Sequence, residues 1–284
     1  MEARGVHWLA SYPKSGNTWV RIALACLVNG GRLPDLSRAA GLCPNSAALG
    51  WMEDMLDLPL GHMTPTEQSL MRTEACRLYA ETTPGPAFLK VHDAYSASLF
   101  APVSCAGTVL IVRDPRDVAP SWADHMGVEL DDAIKAMGGA HFAMGLAGMH
   151  QSSHSLQRLE SWSANVQSWL DAPGAKLLLR YEDMLAEPAA SLTALARFTG
   201  LPVNAALVED AVTATSFQSL RAAEAQQGFR ERVRDQKKFF RQGRSGAWKQ
   251  SLSPMQIDRL WSDHHKMMAR LGYGEDGTLS TPSP

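Results

Sequence analysis

The chain has 284 residues, of which 45% are hydrophobic, and its formal net charge is −2 at pH 7. This length suits one large α/β domain or two small ones with a packed apolar core. A net charge so near zero excludes a global field that would attract nucleic acid, so any multiply charged nucleotide must be bound by local basic clusters.

Cysteine spacing and apolar runs indicate the cellular setting. Cys26, Cys43, Cys76 and Cys105 are scattered without CxxC spacing, which argues against a zinc site and against a disulfide framework. No apolar run approaches the ~18 residues that a membrane-spanning helix needs. The first predicted strand begins too early to leave room for a signal peptide. We therefore expect a cytoplasmic protein with neither membrane insertion nor a nucleic-acid partner.

The first predicted element is a buried strand at residues 6–10, and a helical pattern follows at 19–28. Between them lies the turn SYPKSGNT, residues 11–18. The N–H groups and dipole of a helix N-terminus bind anions, Gly16 lets the backbone approach closely, and Lys14 adds positive charge. The turn is therefore a candidate phosphate site, although a bare Lys-Ser-Gly turn can equally cap an ordinary helix.

Strands and helices then alternate along the chain. Further strands are predicted at residues 87–92, 108–113 and 176–181. Helices are predicted at residues 64–81, 155–170, 189–198, 204–214, 217–225 and 254–271, with another starting at 114–117. This alternation predicts a single α/β domain with a mostly parallel central sheet flanked by helices.

The remaining segments are less regular. A helix and a loop are predicted at residues 128–148, a long basic loop is predicted at 226–250, and a disordered tail is predicted at 274–284. Short helices that form the wall of a pocket are predicted at residues 37–61. The apolar members of that wall are Leu49, Trp51, Met52, Met55 and Leu56.

Polar residues follow the predicted strands, where ligands of parallel sheets bind. Arg113 ends one strand, and Ser121 lies early in the next helix. An Arg fork and a hydroxyl suit a phosphate monoester. The alternative is that Arg113 forms an ion pair with Asp114 or Asp117 at the helix start.

The segment 237–249 is strongly basic, and Gly243 and Gly246 flank its Arg244 and Ser245. Such a run can bind an anion or can simply form a solvated face. His92 ends another strand, two residues after Lys90, and its ordinary pKa near 6.5 suits a general base. A lone histidine is more often structural, and His125, His264 and His265 are read as background.

Together these strings resemble the cytosolic-type sulfotransferases, including bacterial-like members, which use 3′-phosphoadenosine 5′-phosphosulfate (PAPS) and release PAP. Residues 11–19 resemble the phosphosulfate loop, and 113–122 resemble the segment that binds the 3′-phosphate. The basic segment 237–249 resembles the C-terminal RKGxxGxWK signature, and 90–92 resemble the KTH motif with Val91 for Thr. The smaller matches are Tyr181-Glu182-Asp183-Met184 and Thr215-Ser216-Phe217.

The resemblance implies a sulfotransferase fold, similar to that of P-loop kinases, over residues 1–273. It implies His92 as general base, Lys14 on the leaving oxygen and Lys90 on the sulfuryl oxygens. The 5′-phosphate would be held by Ser15, Gly16, Asn17 and Thr18. The 3′-phosphate would be held by Arg113, Ser121, Arg241 and Gly243, beside Phe240 and Gln242. The adenine would contact Trp19, Tyr181, Thr215 and Phe217.

One departure and several open points remain. Gln242 stands where the family usually has Lys, which removes one positive charge from the nucleotide loop. The family needs no metal. A nucleotide-dependent small-molecule kinase and a non-catalytic nucleotide-binding protein are the alternative functions. The predicted apolar pocket, which also includes the methionine-containing stretch 126–149, favours a small phenol, lipid or polyketide-like alcohol as acceptor. A homodimer is left open.

Overall fold

The central sheet has four strands. The structure, a computed structural model, describes residues 5–145, 153–229, 240 and 243–283, with the side chains of residues 37, 38 and 40 excepted. The strands are β1 (Val6–Ser11), β2 (Ala87–Val91), β3 (Cys105–Val112), β4 (Ala143–Met144), β5 (Gln157–Arg158) and β6 (Lys176–Arg180). The main sheet has the order β2-β1-β3-β6, and every pair in it is parallel. This confirms the predicted fold class.

Helices cover both faces of this sheet. The first seven are α1 (Asn17–Val28), α2 (Leu36–Leu42), α3 (Leu49–Leu56), α4 (Pro65–Thr82), α5 (Ala97–Phe100), α6 (Pro115–Met126) and α7 (Leu130–Gly138). The others are α8 (Trp162–Asp171), α9 (Tyr181–Ala186), α10 (Pro188–Phe198), α11 (Ala205–Ala214), α12 (Phe217–Gln227), α13 (Trp248–Ser251) and α14 (Pro254–Arg270). No helix in the described part of the chain is long and apolar enough to cross a bilayer.

Local signals in the sequence explain where several helices begin. Thr64 caps α4 and accepts a hydrogen bond from the Glu67 N–H, while the Glu67 carboxylate accepts one from the Thr64 N–H. Ser253 and Gln256 form the same capping box at α14. In each box the N-cap residue is followed by Pro at the first helical position, where its missing N–H costs nothing.

The core lies on both sides of β1, whose six residues are all buried. Successive side chains of a strand point to opposite faces. Trp8 therefore packs in one apolar cluster with Trp122 and Trp169, and Leu9 packs in another with Leu24. A strand covered on both faces reads as a continuous apolar run, which is why the sequence identified it.

One predicted helix, at residues 155–170, is wrong over its first turns. The helix α8 begins only at Trp162, with the Ser161 hydroxyl accepting from the Ala164 N–H. The preceding residues form β5, which pairs antiparallel with β4. The Arg158 N–H also donates to Asp93 Oδ1 at 2.9 Å. These bonds join distant segments, so helical spacing alone could not anticipate them.

Residues 274–283 are held by hydrogen bonds to the rest of the domain. Arg116 donates to the backbone oxygens of Gly274 (2.9 Å) and Glu275 (2.6 Å). Arg180 donates to the oxygen of Ser280 at 2.6 Å. Both arginines are buried, and their guanidinium N–H groups need acceptors. The tail supplies backbone oxygens to donors next to the strand ends of β3 and β6.

Glu182 joins the start of α6 to Tyr273, the residue that precedes these C-terminal residues. Its Oε1 accepts from the Asp114 N–H at 3.1 Å, and its Oε2 accepts from the Tyr273 hydroxyl at 2.9 Å. Burial raises the pKa of Glu182 from 4.5 to about 7. The folded protein therefore holds a proton on this carboxyl group that the unfolded chain releases above about pH 4.5.

This difference gives a pH dependence of stability. Because the folded pKa of Glu182 is the higher one, its contribution is complete below the unfolded pKa and is lost as the pH rises through about 7. Unfolding free energy should fall by up to about 3 kcal/mol between about pH 5 and about pH 8. Urea titrations across this range should show a smaller fall in Glu182→Gln. The exposed-site control Glu209→Gln should behave like wild type, and an equal fall in both variants would reject the assignment.

Candidate active site

A cavity of about 650 Å³ lies at the carboxyl ends of the four parallel strands. Lys14 follows β1, His92 follows β2, Arg113 follows β3, and Tyr181 follows β6. The predicted site residues that line the cavity are Lys14, Gly16, Asn17, Thr18, Trp19, Lys90, His92, Arg113, Ser121, Tyr181, Thr215, Phe217, Phe240 and Gly243. The fold thus brings together residues that are spread over more than two hundred positions.

Three predicted site residues are not placed in this cavity. Ser15 is fully buried and is not among the lining residues, and its Oγ has no hydrogen-bond partner among the described residues. Arg241 and Gln242 lie outside the described residues.

The turn after β1 has the backbone geometry of an anion site. Lys14 and Gly16 both have positive φ, 67° and 101°. The α1 N-terminus has no side-chain cap and no acidic residue in its first turn, so its N–H groups and dipole are available to an anion. The Asn17 amide instead donates to Leu9 O at 2.9 Å and Ser11 Oγ at 3.1 Å, which ties the turn to β1.

Gly16 also lets the Tyr181 ring pack directly on the turn. A Cβ at Gly16 would lie 2.7 Å from Tyr181 Cδ2, and its φ of +101° disfavours any side chain. Gly16→Ala should therefore displace the turn and weaken binding of PAP, the nucleotide that the sequence resemblance implies, by about tenfold or more, as measured by calorimetry. Gly30→Ala is the matched control, because Gly30 has φ +66° with nothing within 4 Å of an added Cβ. Equal PAP affinity in the two variants would contradict this role for Gly16.

Arg113 joins the turn after β1, at residues 11–18, to the glycine-containing C-terminal loop at residues 243–247. Its guanidinium donates to Lys14 O at 3.3 Å and to Arg244 O at 3.2 Å, and it lies 4.4 Å from the Tyr181 ring centroid. The helix-start ion pair is formed by Arg116, whose Nη2 lies 2.8 Å from Asp114 Oδ2. Arg113 Nε is buried and has no hydrogen-bond partner among the described residues, which fits a phosphate oxygen at this position.

Asp117 is a cavity residue whose role the sequence did not reveal. Its carboxylate accepts from the Gly246 N–H at 2.7 Å and the Trp248 N–H at 2.9 Å, which fixes the glycine-containing loop beside α6. Burial raises the pKa of Asp117, while the Arg113 charge and the two N–H bonds act in the opposite direction. In the sequence, Asp117 stands four residues after Arg113, which suggested only an ion pair between them. Its actual partners, the N–H groups of Gly246 and Trp248, lie 129 and 131 positions further along the chain, so local spacing could not reveal them.

Aromatic rings line the part of the cavity beside the C-terminal loop. Phe217 packs so closely on Gly243 that a Cβ added there would lie 2.2 Å from Phe217 Cδ2. Trp19 meets Tyr181 edge to face, with ring centroids 5.8 Å apart, and Trp19 Nε1 is buried without a partner in the described chain. Such rings with a few polar groups can hold a purine by stacking.

His92 is oriented by the strand next to it. Its Nδ1 lies 2.8 Å from the Ser11 carbonyl oxygen and 3.2 Å from Ser11 Oγ. A carbonyl oxygen can only accept, so the bond to it assigns the proton of the neutral ring to Nδ1. The lone pair of the neutral ring is then on Nε2. The Asn165 amide holds the His92 carbonyl at 2.9 Å, which fixes the backbone as well.

The rest of the cavity wall agrees with the sequence-based prediction at two methionines of the stretch 126–149 and differs from it elsewhere. Met126 and Met144 line it, and so do His125 and His154, although His125 was read as background. Asn45 and Gln157, which no motif had marked, complete this region. The apolar residues of α3 do not line the cavity but pack with Leu60 and Ala75 in a separate cluster. The amphipathic pattern of α3 thus reflects core packing.

A comparison with protein families decides the class of this site. The family model described as "Sulfotransferase domain" matches residues 6–272. The chain belongs to the sulfotransferase family. It is therefore an enzyme of the PAPS-dependent sulfotransferase class, and the predicted family is confirmed.

Similar proteins include two plant sulfotransferases. The chain is 23% identical to flavonol 3-sulfotransferase of Flaveria bidentis over 268 residues, covering 89% of this chain and 78% of that protein. It is 25% identical to cytosolic sulfotransferase 17 of Arabidopsis thaliana over 274 residues, covering 89% and 71% respectively.

Solved structures with the same fold include two complexes with PAP. Retinol dehydratase with androsterone and PAP superposes with a TM-score of 0.59 at 18% identity, covering 92% of this sulfotransferase and 80% of that chain. A mouse sulfotransferase complexed with PAP gives a TM-score of 0.58 at 20% identity, covering 93% and 85% respectively.

Within the described residues, no group of three or more His, Cys, Asp or Glu side chains could hold a metal ion.

Proposed function

We propose that this sulfotransferase transfers the sulfuryl group of PAPS to a hydroxyl, or an amine, of a small-molecule acceptor, with His92 as general base. The observation that carries this proposal is the hydrogen bond from His92 Nδ1 to the Ser11 carbonyl oxygen, in the cavity that Lys14 also lines. It leaves Nε2 as the basic nitrogen of the neutral ring. His92 thus has the tautomer that a general base at this position needs.

The two ends of the nucleotide would be held by different parts of the chain. The uncapped N-terminus of α1 and Lys14 suit the 5′-phosphate. Arg113 Nε, a buried donor without a partner among the described residues, suits the 3′-phosphate together with Ser121 and the loop at Gly243. Aromatic rings at Trp19, Tyr181 and Phe217 suit the adenine.

The chemical step follows from these positions. The acceptor oxygen forms a bond to sulfur as its proton passes to His92 Nε2, and the bond from sulfur to the bridging oxygen breaks in line. Lys14 stabilises the negative charge that grows on that oxygen as PAP leaves, and Lys90 stabilises the sulfuryl oxygens. Lys90 and His92 lie two residues apart at the end of β2 and both line the cavity. Catalysis then depends mainly on position and charge, as in phosphoryl transfer.

The acceptor and the cellular setting extend this proposal. Relatives named as flavonol and cytosolic sulfotransferases support a phenolic or similar small acceptor and a cytoplasmic location. The test is a PAPS-dependent screen of small alcohols, phenols and amines, read by mass spectrometry as the addition of a sulfuryl group. We expect product without added metal and in the presence of EDTA. Transfer from ATP that EDTA abolishes would support a kinase instead.

A further inference from the structure

We propose that the primary amides of Asn45 and Gln157 bind a second hydroxyl group of the acceptor, so that the enzyme prefers polyhydric phenols to monohydric ones. This inference rests on the proposed transfer to a hydroxyl activated by His92. Both amides line the cavity. The backbone on either side of Asn45 is hydrogen-bonded to Lys90 in β2, and the backbone next to Gln157 is hydrogen-bonded to the residues that follow His92.

Asn45 is placed by the segment that runs beside β2. The Lys90 N–H donates to Pro44 O at 2.9 Å, and the Ser46 N–H donates to Lys90 O at 3.0 Å, so that Asn45 is paired with Lys90. Asn45 Oδ1 accepts from the Ala47 N–H at 3.0 Å. Because this bond identifies the oxygen and uses it, the NH2 group is the part of the amide that can donate to a ligand.

Gln157 is placed on the other side by β5. The Arg158 N–H donates to Asp93 Oδ1, and the Ala94 N–H donates to Arg158 O at 2.8 Å, so β5 is attached to the residues that follow His92. Gln157 is only 4% exposed. Its Oε1 is buried and receives no hydrogen bond from any described residue.

These two amides have complementary requirements. A buried amide oxygen without a donor destabilises the site, and an acceptor O–H would supply that donor. The terminal torsion of glutamine is broad, so a small rotation can turn Oε1 toward the cavity. A hydroxyl can accept from Asn45 and donate to Gln157 at the same time. A wholly apolar acceptor would offer no hydrogen-bond partner to the Asn45 NH2 group or to Gln157 Oε1.

The neighbouring wall suits the ring that carries such a hydroxyl. Met144 stands opposite Gln157 in the β4–β5 ribbon, and Trp122 and Met126 also line the cavity. Thioether and aromatic side chains pack well on an aromatic face. A phenolic ring with a second hydroxyl therefore matches both the apolar and the polar parts of this wall.

The test compares phenol with catechol, resorcinol and hydroquinone, and each diol with its monomethyl ether. With wild-type enzyme and PAPS, we expect kcat/KM for at least one diol to exceed that for phenol by about tenfold or more. Methylation of the second oxygen removes the donor that Gln157 needs, so most of this preference should disappear. This comparison requires no variant to fold.

Variants then assign the preference to the two amides. Gln157→Met and Asn45→Asp, which keeps the oxygen that accepts from Ala47, should each lower the ratio of diol to phenol by about tenfold. Gln167→Met, on α8 and away from the cavity, should leave the ratio and the rate unchanged. Equal kcat/KM for phenol and all diols, or a ratio retained in both amide variants, would overturn this inference while the proposed function stands. Failure to sulfate any of these phenols would overturn the proposed function itself for phenolic acceptors.

Discussion

Replacing His92 with alanine should lower kcat by about 100- to 10,000-fold, because the acceptor proton then has no positioned base. PAP affinity should change by less than about twofold, since no nucleotide contact is assigned to the imidazole. The backbone of His92 should stay in place, because Asn165 holds its carbonyl and β2 holds the preceding residues. The effect is therefore expected in the chemical step and not in binding.

Single-turnover sulfuryl transfer and calorimetric titration with PAP measure these two quantities separately. His265→Ala is the matched control, since this exposed histidine lies on α14 away from the cavity, and it should react at the wild-type rate. Full-rate transfer by the His92→Ala protein would refute the assignment of the base. A parallel loss of PAP binding would instead make His92 a residue that shapes the nucleotide site.

Replacing Arg113 with alanine should weaken PAP binding by about tenfold to a hundredfold, because hydrogen bonds to charged groups contribute roughly 1.5–3 kcal/mol. The variant also loses the bonds to Lys14 O and Arg244 O that join the two loops of the site. Arg113→Lys should recover only part of the affinity, since lysine keeps the charge but not the planar fork. At saturating PAPS, kcat should fall much less than affinity.

The matched control for charge is Arg77→Ala on α4, where Arg77 forms exposed ion pairs with Glu74 and Glu81. It removes the same charge far from the cavity and should leave the Kd for PAP unchanged. Titrations of the three variants and wild type with PAP, at two salt concentrations, make the comparison. A Kd for Arg113→Ala within about twofold of wild type would remove Arg113 from the nucleotide site.

Much of the fold could be read from local sequence patterns. The buried strands are continuous apolar runs, and α4 and α14 begin at capping boxes with Pro at the first helical position. Each of these signals involves residues within a few positions of each other. A capping box is local because side chains three residues apart accept hydrogen bonds from the first backbone N–H groups of the helix. A strand that helices cover on both faces is apolar at successive positions, so it is visible as a short apolar run.

Motif residues could be named from the sequence for a related reason. Lys14, His92 and Arg113 each follow a strand, and parallel strands end at one edge of the sheet. The structure brings these three side chains into one cavity. Whether they act there as base and phosphate ligands stays a prediction, and the two substitutions described above test it.

By itself, the sequence determined the four strands of the main sheet, most helices, the family and the set of strand-end residues that line the cavity. Only the tertiary structure decided the path of residues 274–283, the ribbon at β5, the role of Asp117 and the positions of Asn45 and Gln157. These features depend on hydrogen bonds between segments far apart in the chain, such as Asp117 to Trp248 and Arg116 to Gly274. A buried donor takes whichever acceptor the fold brings near it, so no local pattern in the sequence specifies that partner.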